Sequence, residues 1–184
     1  MEHARGASVR VAKSPHGLGL HAASDIPAGE MILVFTGELL ELEDVLASGR
    51  DECYPLQVGA STYLDLDARS RIVNHSCSPN AGVRSDRLLV SLREIRAGEE
   101  ICYDYSTTMS ERRWTMQCAC RAANCRVVVG DFHDLPIALQ QLYLRLGVVQ
   151  SFIVAELWFD EVKGGGWGRK REASVPPRAQ RSSS

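Results

Sequence analysis

The stretch VNHSCSPNA, residues 73–81, poses the question on which the fold turns. Its single cysteine, Cys77, stands in a polar segment with Asn74 before it and Asn80 after it. Three of the other five cysteines crowd into CACRAANC, residues 118–125. Cys118, Cys120 and Cys125 follow C-x-C-x-x-x-x-C. Thiolates so close together suit a borderline cation such as zinc, and structural zinc takes four ligands in a tetrahedron. Cys77 completes the set if the fold brings the two segments together. Each thiol must lose a proton first, so binding would depend on pH. A redox site or a coincidental cluster are the alternatives. Cys53 and Cys102 sit beside tyrosines in strand-like runs and read as small buried apolar residues.

The rest of the chain decides which chemistry the thiols meet. MEHARGASVRV at the N-terminus lacks the apolar core of a signal peptide. VVQSFIVAELWF, the most apolar late stretch, is too short and too polar to span a bilayer. Both features predict an intracellular chain without membrane contact, nuclear if eukaryotic and otherwise cytoplasmic. Thiols stay reduced there, which disfavours three disulfides and makes glycosylation of NHS, residues 74–76, a poor reading. The 184 residues are 45% hydrophobic and 24% charged, enough for one domain with a core plus tails. A formal net charge of −2 gives no global attraction to nucleic acid.

Strand signals dominate the first two-thirds, so the expected class is mainly β. VRVAK, MILVFTG, STYLDLD, RLLVSLRE and EEICYDY are short β-branched, leucine-rich or aromatic runs between Gly, Pro, Asp and Ser. Residues 39–48, LLELEDVLAS, put Leu39, Leu42, Val45 and Leu46 on one face and predict a helix. DIPAGEMI, residues 25–32, is echoed by EIRAGEEI, residues 94–101, which predicts two similar turn-to-strand entries. Later, DLPIALQQLYLRL carries a proline near a helix start and apolar residues at 135, 139, 142 and 146. VVQSFIVAELWF follows as a second helix. Residues 164–184 are Gly-, Pro-, Ser- and Arg-rich and read as a disordered basic tail. Its GRKRE is a localisation or nucleic-acid patch, or simply solvated.

GLGLHA, residues 17–22, matches G-x-G-x-x-A, yet no helix opens after it, because Pro27 and Gly29 follow. The glycines then let a loop approach a ligand closely, or are ordinary turn residues.

Taken together, these segments resemble the SET-domain protein lysine methyltransferases. SPHGLGLHAASDIPAGEMILVFTGE is similar to the family's N-terminal glycine segment, IVNHSCSPNA to its N-H-S-C-x-P-N motif, AGEEICYDY to its G-E-E-[LI]-x-x-[FY]-D-Y motif and CACRAANC to its post-SET cysteines. The resemblance covers about residues 9–130. It implies small β-sheets with a knot-like threaded C-terminal segment, S-adenosylmethionine on one face and a target lysine entering a channel from the other. The organisation implied is an arm at 1–8, a SET domain at 9–107, a post-SET zinc segment at 108–130, a helical extension at 131–163 and the tail. The chain departs from the family at Phe35, often Tyr, and at Arg121 and Arg126, where glycines are usual.

Methyl transfer from a sulfonium to an amine is an in-line displacement in which positioning is most of what a protein supplies. The lysine must also lose a proton at a cost of roughly 4 to 5 kcal/mol at pH 7, which an apolar channel reduces. The resemblance makes Tyr105 the first catalytic candidate, as a hydroxyl that orients the amine and not as a base. Tyr54 is the matching channel-wall tyrosine, and Tyr103 stands at the Phe/Tyr position. Tyr at that position implies mono- or dimethylation. Donor binding falls to Gly17, Leu18 and Gly19 through their backbone, to the Asn74 side chain and to the His75 backbone. The His75 imidazole is structural. Asn80 satisfies backbone groups, and Asp104 braces the turn. Trp114 and Phe132 flank the cysteines, where either covers adenine or packs. Zinc on Cys77, Cys118, Cys120 and Cys125 is structural and closes one wall of the channel. The implied partner is a protein or peptide bearing a target lysine, with histone tails the substrate class. A zinc-stapled module that binds peptide or nucleic acid without turnover is the competing function.

Overall fold

The computed structural model describes residues 7–15, 17–47 and 55–162, so Cys53, Tyr54 and the tail lie outside the described residues. The fold is mainly β, with small sheets in place of one large one. Strands β1 (Val9–Ser14) and β2 (Gly17–Ala22) form an antiparallel hairpin. GLGLHA is therefore a strand and not a free loop. Gly17 adopts φ +110°, open to glycine alone at little cost. A Cβ at Gly19 would stand 2.3 Å from Glu100 Oε1, so the Glu100 side chain would have to shift to admit one.

A three-stranded sheet orders β3 (Met31–Val34), β9 (Leu88–Ser91) and β8 (Ala81–Arg84). A second orders β4 (Gly37–Glu41), β6 (Thr62–Leu66) and β5 (Pro55–Gln57). The helix expected over 39–48 is cut short, because α1 spans only Leu42–Ala47. Leu39 and Leu40 instead pair with Leu64 and Tyr63 across β4 and β6. Strand pairing overrides the helical spacing, and Val45 is left as the one buried residue of α1.

The echoed segments meet. Ile26 and Ile95 exchange both backbone hydrogen bonds, at 2.8 and 2.9 Å. Gly29 and Gly98 hold the same left-handed turn, at φ +82° and +88°. Their paired apolar residues join Leu20, Phe35, Leu64, Leu89 and Ile101 in the main core.

Two short strands, β7 (Asn74–His75) and β10 (Cys102–Tyr103), lie parallel, with Asn74 opposite Cys102 and His75 opposite Tyr103. A parallel pair requires a long crossover; the intervening chain supplies it with β8 and β9. Strands β11 (Met116–Gln117) and β12 (Val128–Val129) then bracket the cysteine-rich loop.

Helices α2 (Ile137–Leu146) and α3 (Ser151–Val162) follow, with Pro136 at the N-cap of α2 and Gly147 closing it at φ +65°. The face of α2 is turned from the expected one: Leu142 is exposed and Tyr143 is buried. A second core of Phe132, Leu135, Tyr143, Val148 and Ile153 lies under the helices. It meets the first at Gly82, where a Cβ would come 2.7 Å from Val148. Among the described residues no helix is long and apolar enough to cross a membrane.

Candidate active site and thiol cluster

Side chains alternate along an extended segment, and residues 103–105 use this to serve two sites. Tyr103 and Tyr105 turn to one side, their rings 4.8 Å apart, while Asp104 turns to the other. On the tyrosine side a cavity of about 60 Å³ is walled by Leu56, Tyr63, Met109 and Trp114 together with the two tyrosines. Its polar rim includes Glu111, whose carboxylate accepts from the Tyr63 hydroxyl at 2.5 Å. Tyr105 donates its hydroxyl to the Val73 carbonyl at 2.9 Å, which fixes the ring. Tyr103 is buried and packs 5.8 Å from Phe35; burial raises its pKa, so the phenol keeps its proton.

The glycine segment and the Asn-His segment touch directly. Asn74 Nδ2 donates to the Leu18 carbonyl at 3.0 Å and to Glu100 Oε1 at 2.6 Å. Glu100 also accepts from Ser14 Oγ at 2.9 Å. The glycine segment thus meets Asn74 through Leu18, Glu100 holds Asn74 and Ser14 together, and the residue before Asn74, Val73, accepts from Tyr105. Asn80 ties backbone to backbone, accepting from Cys102 N at 2.9 Å and donating to the Glu100 carbonyl at 2.8 Å.

The opposite side of residue 104 is polar and closed. Arg126 donates to both Asp104 oxygens at 2.7 Å, Tyr143 donates to Asp104 Oδ2 at 2.9 Å, and Ser106 N donates to Oδ1 at 3.2 Å. The carboxylate is fully buried and fully paired, as a buried charge must be. His75 is buried next to it, and that burial lowers its pKa to about 4 against the raising pull of Asp104.

The thiols meet beyond His75. The ligand atoms of His75, Cys77, Cys118 and Cys120 lie within 4.8 Å of one another. Cys125 stands outside that set, its Sγ 3.9 Å from the Cys118 carbonyl and within reach of Val127 N at 3.5 Å. Burial pushes the Cys77 and Cys118 thiols up. At Cys120 burial acts the same way, but the N–H groups of Cys77 and Ala122 and the neighbouring thiols bring it down to about 6. One sulfur of the cluster is therefore ready to be a thiolate, and the donor set fits zinc. Cys102 is not among the residues whose ligand atoms cluster, and burial pushes its thiol up to about 12.

The two aromatics expected near the donor have separate places. Trp114 lines the cavity on the tyrosine side. Phe132 has no exposed surface and lies in the second core, so it packs and offers no face to adenine. Sequence reasoning missed Glu100 and the Arg126–Asp104–Tyr143 network. A carboxylate between two tyrosines in an apolar run was a signal that a cation must be found for it.

Residues 17–106 match the family described as SET domain. The chain is 35% identical over 143 residues to a histone-lysine N-methyltransferase, H3 lysine-4 specific, of Mycosarcoma maydis, covering 66% of this chain and 10% of that protein. It is 30% identical over 129 residues to histone-lysine N-methyltransferase trithorax of Drosophila virilis, covering 60% of this chain and 3% of that protein. It therefore spans a tenth or less of these relatives. The crystal structure of Arabidopsis thaliana SUVH6 in complex with SAM superposes with a TM-score of 0.56 at 25% identity, over 67% of this chain and 33% of that one.

Proposed function

The chain belongs to the SET-domain family, and from that premise we propose that it is an S-adenosylmethionine-dependent protein lysine N-methyltransferase that acts on histone tails in the nucleus. The parallel pairing of Asn74–His75 with Cys102–Tyr103 carries this reading. We read the surface where Asn74 meets the glycine segment as the donor side of Tyr105, and the aromatic cavity that Tyr105 lines as the lysine side. Donor and lysine would approach Tyr105 from these opposite sides. An aromatic cavity disfavours the ammonium form of lysine, and the fixed Tyr105 hydroxyl orients the neutral amine. Tyr103 keeps its hydroxyl and limits the room for added methyl groups, so monomethyl-lysine is the main expected product. Tyr54 belongs to the proposed channel wall.

A zinc ion on Cys77, Cys118, Cys120 and Cys125 would supply no chemistry to the transfer. It would tie the donor-binding segment to the cysteine loop. Cys77→Ser should then lose zinc and donor affinity together, measured by metal analysis and calorimetry with the donor.

Mass spectrometry of intact histones incubated with the protein and S-adenosylmethionine tests the reading. Additions of 14 Da are expected, dominated by one per target lysine, with Tyr103→Phe shifting toward two and three. Peptide binding without any mass change in histones or other proteins would favour a module without turnover.

A further inference from the structure

His75 sits between the catalytic tyrosine and the thiol cluster, and each of its ring nitrogens has a partner. Tyr105 N–H points at Nδ1 from 3.2 Å. Asp104 Oδ1 is 3.6 Å from the same nitrogen, too far for a hydrogen bond. That oxygen is already occupied by Arg126 at 2.7 Å and Ser106 N at 3.2 Å. Nδ1 is thus an acceptor. A neutral imidazole has one donor and one acceptor nitrogen, so the proton is on Nε2. Nε2 lies 3.3 Å from Cys77 Sγ. A protonated ring nitrogen has no lone pair for a metal. Of the five side chains around the cluster, only the four sulfurs then remain as ligands, and Cys125 takes the place that His75 approaches by distance alone.

We propose that the His75 imidazole is a positioning residue, donating from Nε2 to the zinc-site sulfur of Cys77 and accepting the Tyr105 backbone N–H at Nδ1. One rigid ring thereby fixes the orientation of Tyr105 relative to the metal loop. Its edge-on packing against the Tyr105 ring, at 5.3 Å between centroids, adds a second constraint. Arg126 N, 3.4 Å from the same sulfur, gives Cys77 a second donor. Hydrogen bonds to a metal's own ligands orient them and tune the metal, and losing one typically costs about 10- to 100-fold in affinity. The consequence for turnover rests on the methyltransferase reading, whereas the tautomer and the metal contact do not.

Two-bond nitrogen–proton correlation spectra of the 15N-histidine-labelled, zinc-loaded chain test the tautomer directly. The Nε2–H form of His75 is expected. With 113Cd in place of zinc, cadmium coupling should appear to four cysteines and not to His75. Two substitutions then divide the ring's contacts. In His75→Asn the side-chain oxygen still accepts from Tyr105 N–H, but nothing reaches Cys77. Chelator competition should show about a 10- to 100-fold loss of zinc affinity. In His75→Gln the amide still reaches Cys77, but Tyr105 N–H loses its acceptor. Zinc affinity should stay within a few-fold and kcat should fall while the donor KM holds. A proton on Nδ1, cadmium coupling to His75, or equal zinc affinity in the two variants overturns the proposal. If the unmodified chain transfers no methyl groups, the methyltransferase reading fails, and the spectra and zinc affinities still decide the role of the ring.

Discussion

The two sides of the segment 103–105 differ in kind. The tyrosine side is an aromatic cavity with Glu111 and Arg113 at its polar rim, and burial keeps both Tyr63 and Tyr103 protonated. The Asp104 side is a closed polar network joining the main core, the cysteine loop and α2 through a single carboxylate. Because consecutive residues of one short segment build both, the backbone cannot move on one side without moving the other. The division teaches where each property should fail: chemistry on the tyrosine side, stability and metal binding on the Asp104 side.

Arg126→Met should break the division most visibly. It strands a buried carboxylate, and loss of one partner of a buried pair typically costs about 3–5 kcal/mol. For a chain of this size that is on the order of 10 °C in the thermal midpoint. Adding Asp104→Asn should return part of the loss, because the remaining partner is then uncharged. A midpoint in Arg126→Met unchanged from the parent would mean that the network does not hold the loop.

Tyr105→Phe should do the reverse. The fold keeps the ring and loses one hydrogen bond to Val73, about 1 kcal/mol. Methyl transfer should fall about a hundredfold or more, equivalent to roughly 3 kcal/mol of barrier, with every product depressed alike. Single-turnover rates beside a melting curve separate the two effects. A large drop in melting temperature with rates intact would exchange the roles assigned to the two sides.

Asp131 probes the loop that joins them. Burial raises its pKa from 3.8 to about 6, assisted by Asp134 and Glu111 and opposed by the Arg112 N–H. Its Oδ1 has no protein partner. The folded pKa lies above the unfolded one, so the protonated form is the one folding favours. That contribution is complete below about pH 4 and is lost as pH rises through about 6. The shift corresponds to about 2 to 3 kcal/mol at most. Asp131→Asn should therefore match the parent near pH 4 and exceed it at pH 8 in urea unfolding. Equal stabilities at pH 8 would remove the burial argument.

What the sequence made legible was local. The short strands, the glycine pair, the segment at 73–81 and the cysteine spacing each announce themselves within ten residues. The echo at 25–32 and 94–101 even anticipates two matching turns, though not that Ile26 and Ile95 bond to each other. Leu39 and Leu40 misled because helical spacing and a half-buried strand look alike over so short a run. Arg126, Tyr143 and Glu100 were illegible for another reason. Their partners lie 22, 39 and 26 positions away, and only the closed fold brings them together. For His75 the motif points to the backbone alone, since nothing in N-H-S-C shows which ring nitrogen carries the proton.

The cysteine loop contains the smallest test. Glycine was expected at Arg121 and Arg126 by resemblance, and Arg121 does adopt a left-handed backbone, at φ +57°. Arg126 does not; it is committed to Asp104, and the left-handed position falls one residue later, on Val127 at φ +68°. Val128 N bonds back to the Arg126 carbonyl at 2.7 Å, which closes a three-residue turn around Val127. Such a turn is strained, and a β-branched side chain is the worst occupant of its centre. The strain is tolerated because the Val127 carbonyl accepts from Cys118 N at 2.7 Å and its N–H points at Cys125 Sγ, which sets two sulfur-bearing residues in register. Val127 is 60% exposed, so little packing is lost on removing its side chain. Val127→Gly relieves about 1–2 kcal/mol of left-handed strain and returns roughly half of it through the freer unfolded chain. A net gain of about 1 kcal/mol would raise the midpoint by about 2–4 °C, with zinc stoichiometry and methyl transfer unchanged. Val127→Ala keeps the left-handed cost and should gain less than glycine. If alanine equals or exceeds glycine in the melting curve, the strain is not in the backbone of this turn.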